Sequence, residues 1–195
     1  MIAVLCHDIG YVRGVCRSDV GEMVATGLGE ETVELERGGT DAALHPYHVD
    51  RSKLFVRERF GGELLEGMER VIDTQIISGY IEMTRFPVPE DAEYQDSKSF
   101  GGLVRAAECI GQIGDPGYLR KAPALFHELM ERGDSAELGF EKPGDLRNSY
   151  ARLYWDVVSP YVQDALGYLR ATQEGKQWLA SLYANVFAVE HSAIA

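Results

Sequence analysis

Long apolar runs are missing from this 195-residue chain. The longest unbroken one is Met1–Cys6, far short of the roughly 20 residues that a membrane-spanning helix needs. The same stretch has no basic leader and no small-residue cleavage site, so it does not read as a signal peptide. Cysteine is scarce. Cys6, Cys16 and Cys109 form an odd set with no CxxC pair and no metal-finger spacing, which excludes a disulfide scaffold and points to a reducing cytoplasm. Positive charge is outnumbered: 19 Lys and Arg stand against 31 Asp and Glu, a net charge of −12. Such a surface repels nucleic-acid backbones and anionic membranes. A small phosphorylated molecule remains possible where cations are concentrated locally. Repeats, low-complexity segments and a βαβ rhythm are also missing.

What is present is helical periodicity. Residues 17–47 stand apart, with Gly21, Gly27, Gly29, Gly38 and Gly39, many acids and few large apolar groups. There Met23–Thr26 and Thr32–Leu35 read as short strands around the turn at Gly27–Glu31, a small β-hairpin or irregular excursion. From Arg51 onward the period is that of helices. Leu54, Phe55 and Phe60 mark a first helix, and Leu64, Leu65, Met68, Ile72, Ile76 and Tyr80 one face of a long second. Phe86-Pro87-Val88-Pro89 ends it, because proline cannot continue the backbone ladder. Ser97 or Ser99 is placed to cap the next helix, with Leu103, Val104, Ala107 and Ile110 inward. Gly114-Asp115-Pro116-Gly117 is a break before Leu119, Ala122, Leu125, Phe126 and Leu129. Asp145 reads as an N-cap, Pro160 as a kink, and Trp178 to Phe187 as the last helix. The expectation is one all-α domain over residues 1–195, with core motifs in 1–130 and a helical extension in 145–190. The aromatic-rich end (Tyr150, Tyr154, Trp155, Tyr161, Tyr168, Trp178, Tyr183) reads as core or dimer surface, and a homodimer is possible. His45, His127 and His191 show no ligand spacing and are expected at the surface. The cysteines read as small apolar groups rather than nucleophiles.

One segment carries chemistry. Cys6-His7-Asp8-Ile9-Gly10-Tyr11 runs an apolar helical stub into an adjacent imidazole and carboxylate, followed by a helix-ending glycine. Mixed nitrogen and oxygen ligation of this kind suits Mn, Fe, Co, Ni, Zn or Mg, provided other helices supply further ligands. The bland alternative is a packed His7 with Asp8 capping a turn.

The segment His7–Tyr11 after its apolar helix resembles the HD-domain superfamily of metal-dependent phosphohydrolases, and its extension to Gly14 belongs to a narrower match. Pro46-Tyr47-His48-Val49-Asp50-Arg51-Ser52 is similar to that family's later helix-start histidine. Val104-Arg105-Ala106-Ala107-Glu108-Cys109-Ile110 is similar to its closing Arg-Ala-Ala-Asp-Leu-Ile helix. With Thr84-Arg85-Phe86-Pro87-Val88-Pro89, the pattern resembles a bacterial subgroup of HD-domain proteins, over roughly residues 1–130. The resemblance implies an HD-type helical bundle with His7, Asp8 and Glu108 as metal ligands and His48 as a ligand to a second metal or a contact to the substrate phosphate. Asp8, with Lys53 and Arg85 as cations for the developing charge, would carry phosphoester hydrolysis on a small molecule such as a nucleotide. Surface roles for Lys53 and Arg85, with Glu82 pairing Arg85, are the alternative. The family pattern has an earlier histidine on an upstream helix and an aspartate where Glu108 stands. A chain shortened at its start is therefore expected, by a misassigned start codon or a deletion. Two rival readings remain: a degenerate HD domain that binds a nucleotide or protein without turnover, and an HD-fold di-iron oxygenase.

Overall fold

Helices begin as soon as apolar residues recur at helical spacing, and the glycine-rich stretch interrupts them. The computed structural model describes residues 1–61 and 72–192. Helix α1 spans Ile2–Cys6 and a 3₁₀ turn spans Ile9–Tyr11. Strands β1 (Met23–Ala25) and β2 (Thr32–Glu34) pair antiparallel, with Val24 opposite Val33. After a 3₁₀ turn at Asp41–Leu44 come α2 (His48–Phe60) and α3 (Thr74–Glu82), then α4 (Phe100–Ile113), α5 (Tyr118–Arg132), the short α6 (Asp134–Glu137), α7 (Pro143–Arg152), α8 (Ser159–Leu169) and α9 (Gln173–Ser192). The fold is mostly helical with one small hairpin, as the periodicity implies. Among the described residues no helix is long and apolar enough to cross a membrane.

Two compact units divide the chain, Met1–Glu90 and Asp91–Ala195. In the first, α3 packs on α2 and α1. Val24, Leu35 and Leu44 form a small core beneath the hairpin, with Tyr11 and Tyr47 against it. The inward face of α2 departs from the apolar stripe expected of it. Leu54 and Phe55 are only half-buried, while Asp50, Arg51 and Ser52 are buried beside Val49 and Val56. Arg51 has no exposed surface, and its ion-pair partner Asp19 has almost none. The guanidinium donates from Nε to the Gly10 carbonyl at 2.7 Å, from Nη1 to the Ala25 carbonyl, and from Nη2 to Val12 at 3.0 Å and to Asp19. Asp19 in turn accepts from the backbone N–H of Ala25 and of Cys16. Two glycines let the backbones approach. A Cβ on Gly10 would overlap the His48 carbonyl, and one on Gly27, at φ +84°, would overlap the Asp50 backbone.

The part of the long second helix that rests on Leu64, Leu65 and Met68 lies outside the described residues. Helix α3 itself starts only at Thr74, because the Asp73 carboxylate accepts from the N–H groups of Gln75 and Ile76. Ile77 and Ile81 face inward there, and Ile76 is exposed.

The second unit is built around Ile110, Ile113, Tyr150, Tyr154, Val162, Leu166, Leu179 and Leu182. Ser99 caps α4 by accepting from Gly102 N–H. Asp145 does not sit before its helix. Helix α7 opens with Pro143, and the Asp145 carboxylate reaches back to the N–H groups of Glu141 and Lys142. The stretch Leu153–Val158 is wound as π-helix, and Pro160 sits in the first turn of α8.

Removing one member of a buried ion pair strands the other without solvent. Arg51→Ala is therefore expected to lower the unfolding free energy by about 3–5 kcal/mol, read as a lower denaturant midpoint. Arg51→Lys recovers little of it, because an ammonium cannot reach three carbonyls and a carboxylate together.

Candidate active site

Helix α1 stops at Cys6, and the chain turns through His7 and Asp8 into the 3₁₀ turn. Ser52 on α2 locks that corner. Its hydroxyl donates to the His7 carbonyl at 2.6 Å and accepts from Gly10 N–H at 2.9 Å. With Arg51 on the Gly10 and Val12 carbonyls, two consecutive α2 residues hold the His-Asp-Ile-Gly corner on both sides.

His7 donates Nδ1–H to the Val4 carbonyl at 2.8 Å, since a carbonyl can only accept. Its Nε2 faces Asp8 Oδ2 at 3.2 Å. His48, the first residue of α2, likewise donates Nδ1–H to the His45 carbonyl at 2.6 Å, which fixes the lone pair of the neutral ring on Nε2. Tyr11 stacks on His48 with ring centroids 4.4 Å apart, and its hydroxyl lies 2.7 Å from His45 Nδ1. His45 also stacks against His48 at 5.1 Å. The expectation of a surface His45 is therefore corrected: it is half-buried in the aromatic group beside His48.

Charges follow this packing. Partial burial works to raise the Asp8 carboxyl, but the His7 hydrogen bond and the nearby His7, His48 and His45 rings hold it below the ordinary carboxylate range. Burial pushes His48 down, against the His45 carbonyl and the Asp8 charge, so the neutral ring is favoured. Burial raises the Cys16 thiol to about 11 and Cys109 to about 12, which suits inert packing groups rather than nucleophiles.

Lys53 and Arg85 are not surface cations. Lys53 pairs with Asp50 at 2.7 Å and Glu82 at 2.5 Å, and Arg85 with Glu82 at 2.5 Å and Asp50 at 3.0 Å. Two cations and two carboxylates close a ring between α2 and the end of α3, with Arg85 within electrostatic reach of His48. Glu108 belongs to the second unit, on α4, where Gln112 donates to its carboxylate at 3.3 Å. Among the described residues no three His, Cys, Asp or Glu side chains form a group able to hold a metal ion.

The His7–Asp8 edge itself fits a divalent ion as two of its ligands. Ligands at about 2.0–2.2 Å from a metal, at tetrahedral or octahedral angles, lie roughly 3 Å from one another, and 3.2 Å separates these two atoms. Each imidazole also has its other nitrogen tied to a carbonyl, the outer bond that orients metal-binding histidines.

A match that runs through both units decides the family. The chain belongs to the Npun_R2479-like family, whose model matches residues 1–192. No curated protein and no solved structure matches the chain. Family membership thus spans the His-Asp corner, the charged ring and the second unit alike.

Sequence reasoning gave no role to Tyr11, Arg51 or Ser52, although its motifs contain them, and it placed His45 at the surface. The available signal was the His45-x-x-His48 spacing across a helix start, with Tyr11 three residues after Asp8.

The ring makes a pH prediction. Against burial, the bonds to Arg85 and Lys53 draw the Glu82 carboxyl from 4.5 down to about 2. A depressed carboxyl stabilises the fold above its unfolded pKa and ceases to as pH falls through the folded one. Glu82→Gln is expected to cost about 1–3 kcal/mol near neutral pH. The gap to wild type should shrink as pH falls from 4.5 toward 2, measured by denaturant melts at several pH values.

Proposed function

We propose that this protein is an HD-type, metal-dependent phosphohydrolase acting on a phosphomonoester or phosphodiester of a small molecule such as a nucleotide, in the reducing cytoplasm. One observation carries the reading: His7 Nε2 and Asp8 Oδ2 sit 3.2 Å apart, at the spacing of neighbouring ligands of one ion. His7 and Asp8 would hold the metal, with His48 beside them. A bound divalent ion supplies a water of lowered pKa and a positive charge against the phosphoryl oxygens. The protein's share is orientation. Asp8 stays ionised at neutral pH, His7 is aimed by Val4, and Ser52 keeps the corner from moving. Lys53 and Arg85 are the cations available to a phosphate, and each would exchange a carboxylate partner for it. Three free cysteines support the reducing location.

A second reading is favoured by that same ring. With Lys53 and Arg85 both neutralised by Asp50 and Glu82, the site can serve as a degenerate HD domain that binds a nucleotide or a protein without turnover.

Purified protein with added Mn is expected to hydrolyse an activated phosphoester such as p-nitrophenyl phosphate. Asp8→Ala should remove both that activity and Mn binding measured by calorimetry. Mn binding that depends on Asp8, with no turnover across several metals and phosphoesters, would establish the binding module instead. Wild-type protein that binds no divalent ion would overturn the metal reading.

A further inference from the structure

Helix α9 has two faces of different character. Gly175, Leu179, Leu182, Asn185 and Val186 are buried against the core of the second unit. On the other side Ala180, Tyr183, Ala184 and Phe187 recur at helical spacing and are exposed. Tyr183 is 38% and Phe187 61% exposed, and Trp155, at 48%, extends the patch from the π-helical turn. Trp155 donates from Nε1 to Glu190 at 2.9 Å, so it is fixed beside α9. In a chain that is 26% charged, no Asp, Glu, Lys or Arg occurs between Lys176 and Glu190. An uncharged surface with exposed aromatic residues has the composition that protein interfaces favour.

We propose that this face of α9 pairs antiparallel with α9 of a second copy of the chain. The pattern is self-complementary, which is what a two-fold interface requires. Lys176 lies two helical turns before Tyr183 and Glu190 two turns after it. A two-fold axis at Tyr183 sets each Lys176 opposite the partner's Glu190, giving two equivalent ion pairs. It also seats the partner's Phe187 beside Ala180, large against small, so that the two helices interdigitate. Aromatic residues with small neighbours in the centre and charges at the rim are the ordinary anatomy of a protein interface. An acidic partner would be repelled by the chain, and a basic one would find a single carboxylate, Glu190, at one end of the seam.

Sedimentation velocity on the full chain tests the pairing. Wild type at about 100 µM should sediment at twice the single-chain mass. Phe187→Asp should sediment at the single-chain mass with an unchanged helical circular dichroism spectrum. Lys176→Glu and Glu190→Lys should each weaken the dimer by roughly fivefold, and the two together should restore it. A wild type that stays single at that concentration would overturn the proposal. So would a dimer that survives Phe187→Asp with its spectrum intact, or a double swap that fails to recover what the single swaps lose.

Discussion

A fully buried guanidinium holds the first unit together. Arg51 reaches Asp19 and the carbonyls of Gly10, Val12 and Ala25, three pieces of chain with little apolar surface of their own. A buried charge is tolerable only when its donors are filled, and the planar fork of arginine can fill them in several directions at once. The geometry dictates the sequence around it. Gly10 and Gly27 must lack a side chain because the α2 backbone lies against them, and Asp19 must be acidic because no solvent neutralises Arg51. The hairpin, the His-Asp corner and α2 are thereby one packed object, though the hydrophobic core beneath the hairpin is small.

The candidate site inherits its order from that junction. Ser52 follows Arg51 directly, so the same helical turn that buries the guanidinium also pins the His7 carbonyl and Gly10 N–H. His48 begins the same helix, which places its ring against Tyr11 and His45. A chain with a net charge of −12 thus gathers three imidazoles around Asp8. The His7 hydrogen bond, with the nearby rings, outweighs the burial that works to raise the Asp8 carboxyl.

Much of this was legible from sequence, for identifiable reasons. Strongly periodic segments such as Leu119–Leu129 announce themselves, and Ser99 caps α4 through the side chain that its position implies. The hairpin was visible because Gly27 and Gly29 break two short β-branched runs. The polar face of α2 was not visible, because pattern reading assigns the inside to Leu54 and Phe55. In this unit the inside had to satisfy loop carbonyls, so Asp50, Arg51 and Ser52 took it. His45 escaped for a related reason. It precedes the helix that carries His48, and its approach to Tyr11 depends on a fold across 34 residues. His7 and Asp8 were readable as a pair because adjacent residues at a helix end cannot be far apart.

The charged ring sets the terms for any anion at the site. Lys53 and Arg85 are already held by two carboxylates, so the group carries no net charge to attract a ligand from a distance. A phosphate gains there only by displacing Glu82 or Asp50, and the bonds from Arg85 and Lys53 hold the Glu82 carboxyl well below its ordinary range. A monoanion offers the cations no more charge than the carboxylate it replaces. A phosphomonoester dianion offers twice as much, and a divalent ion on His7 and Asp8 would strengthen its hold further. On these terms the ring would give up a carboxylate to a doubly charged anion more readily than to chloride or another carboxylate, and a singly charged phosphodiester would depend on the divalent ion of the proposed phosphohydrolase for its hold.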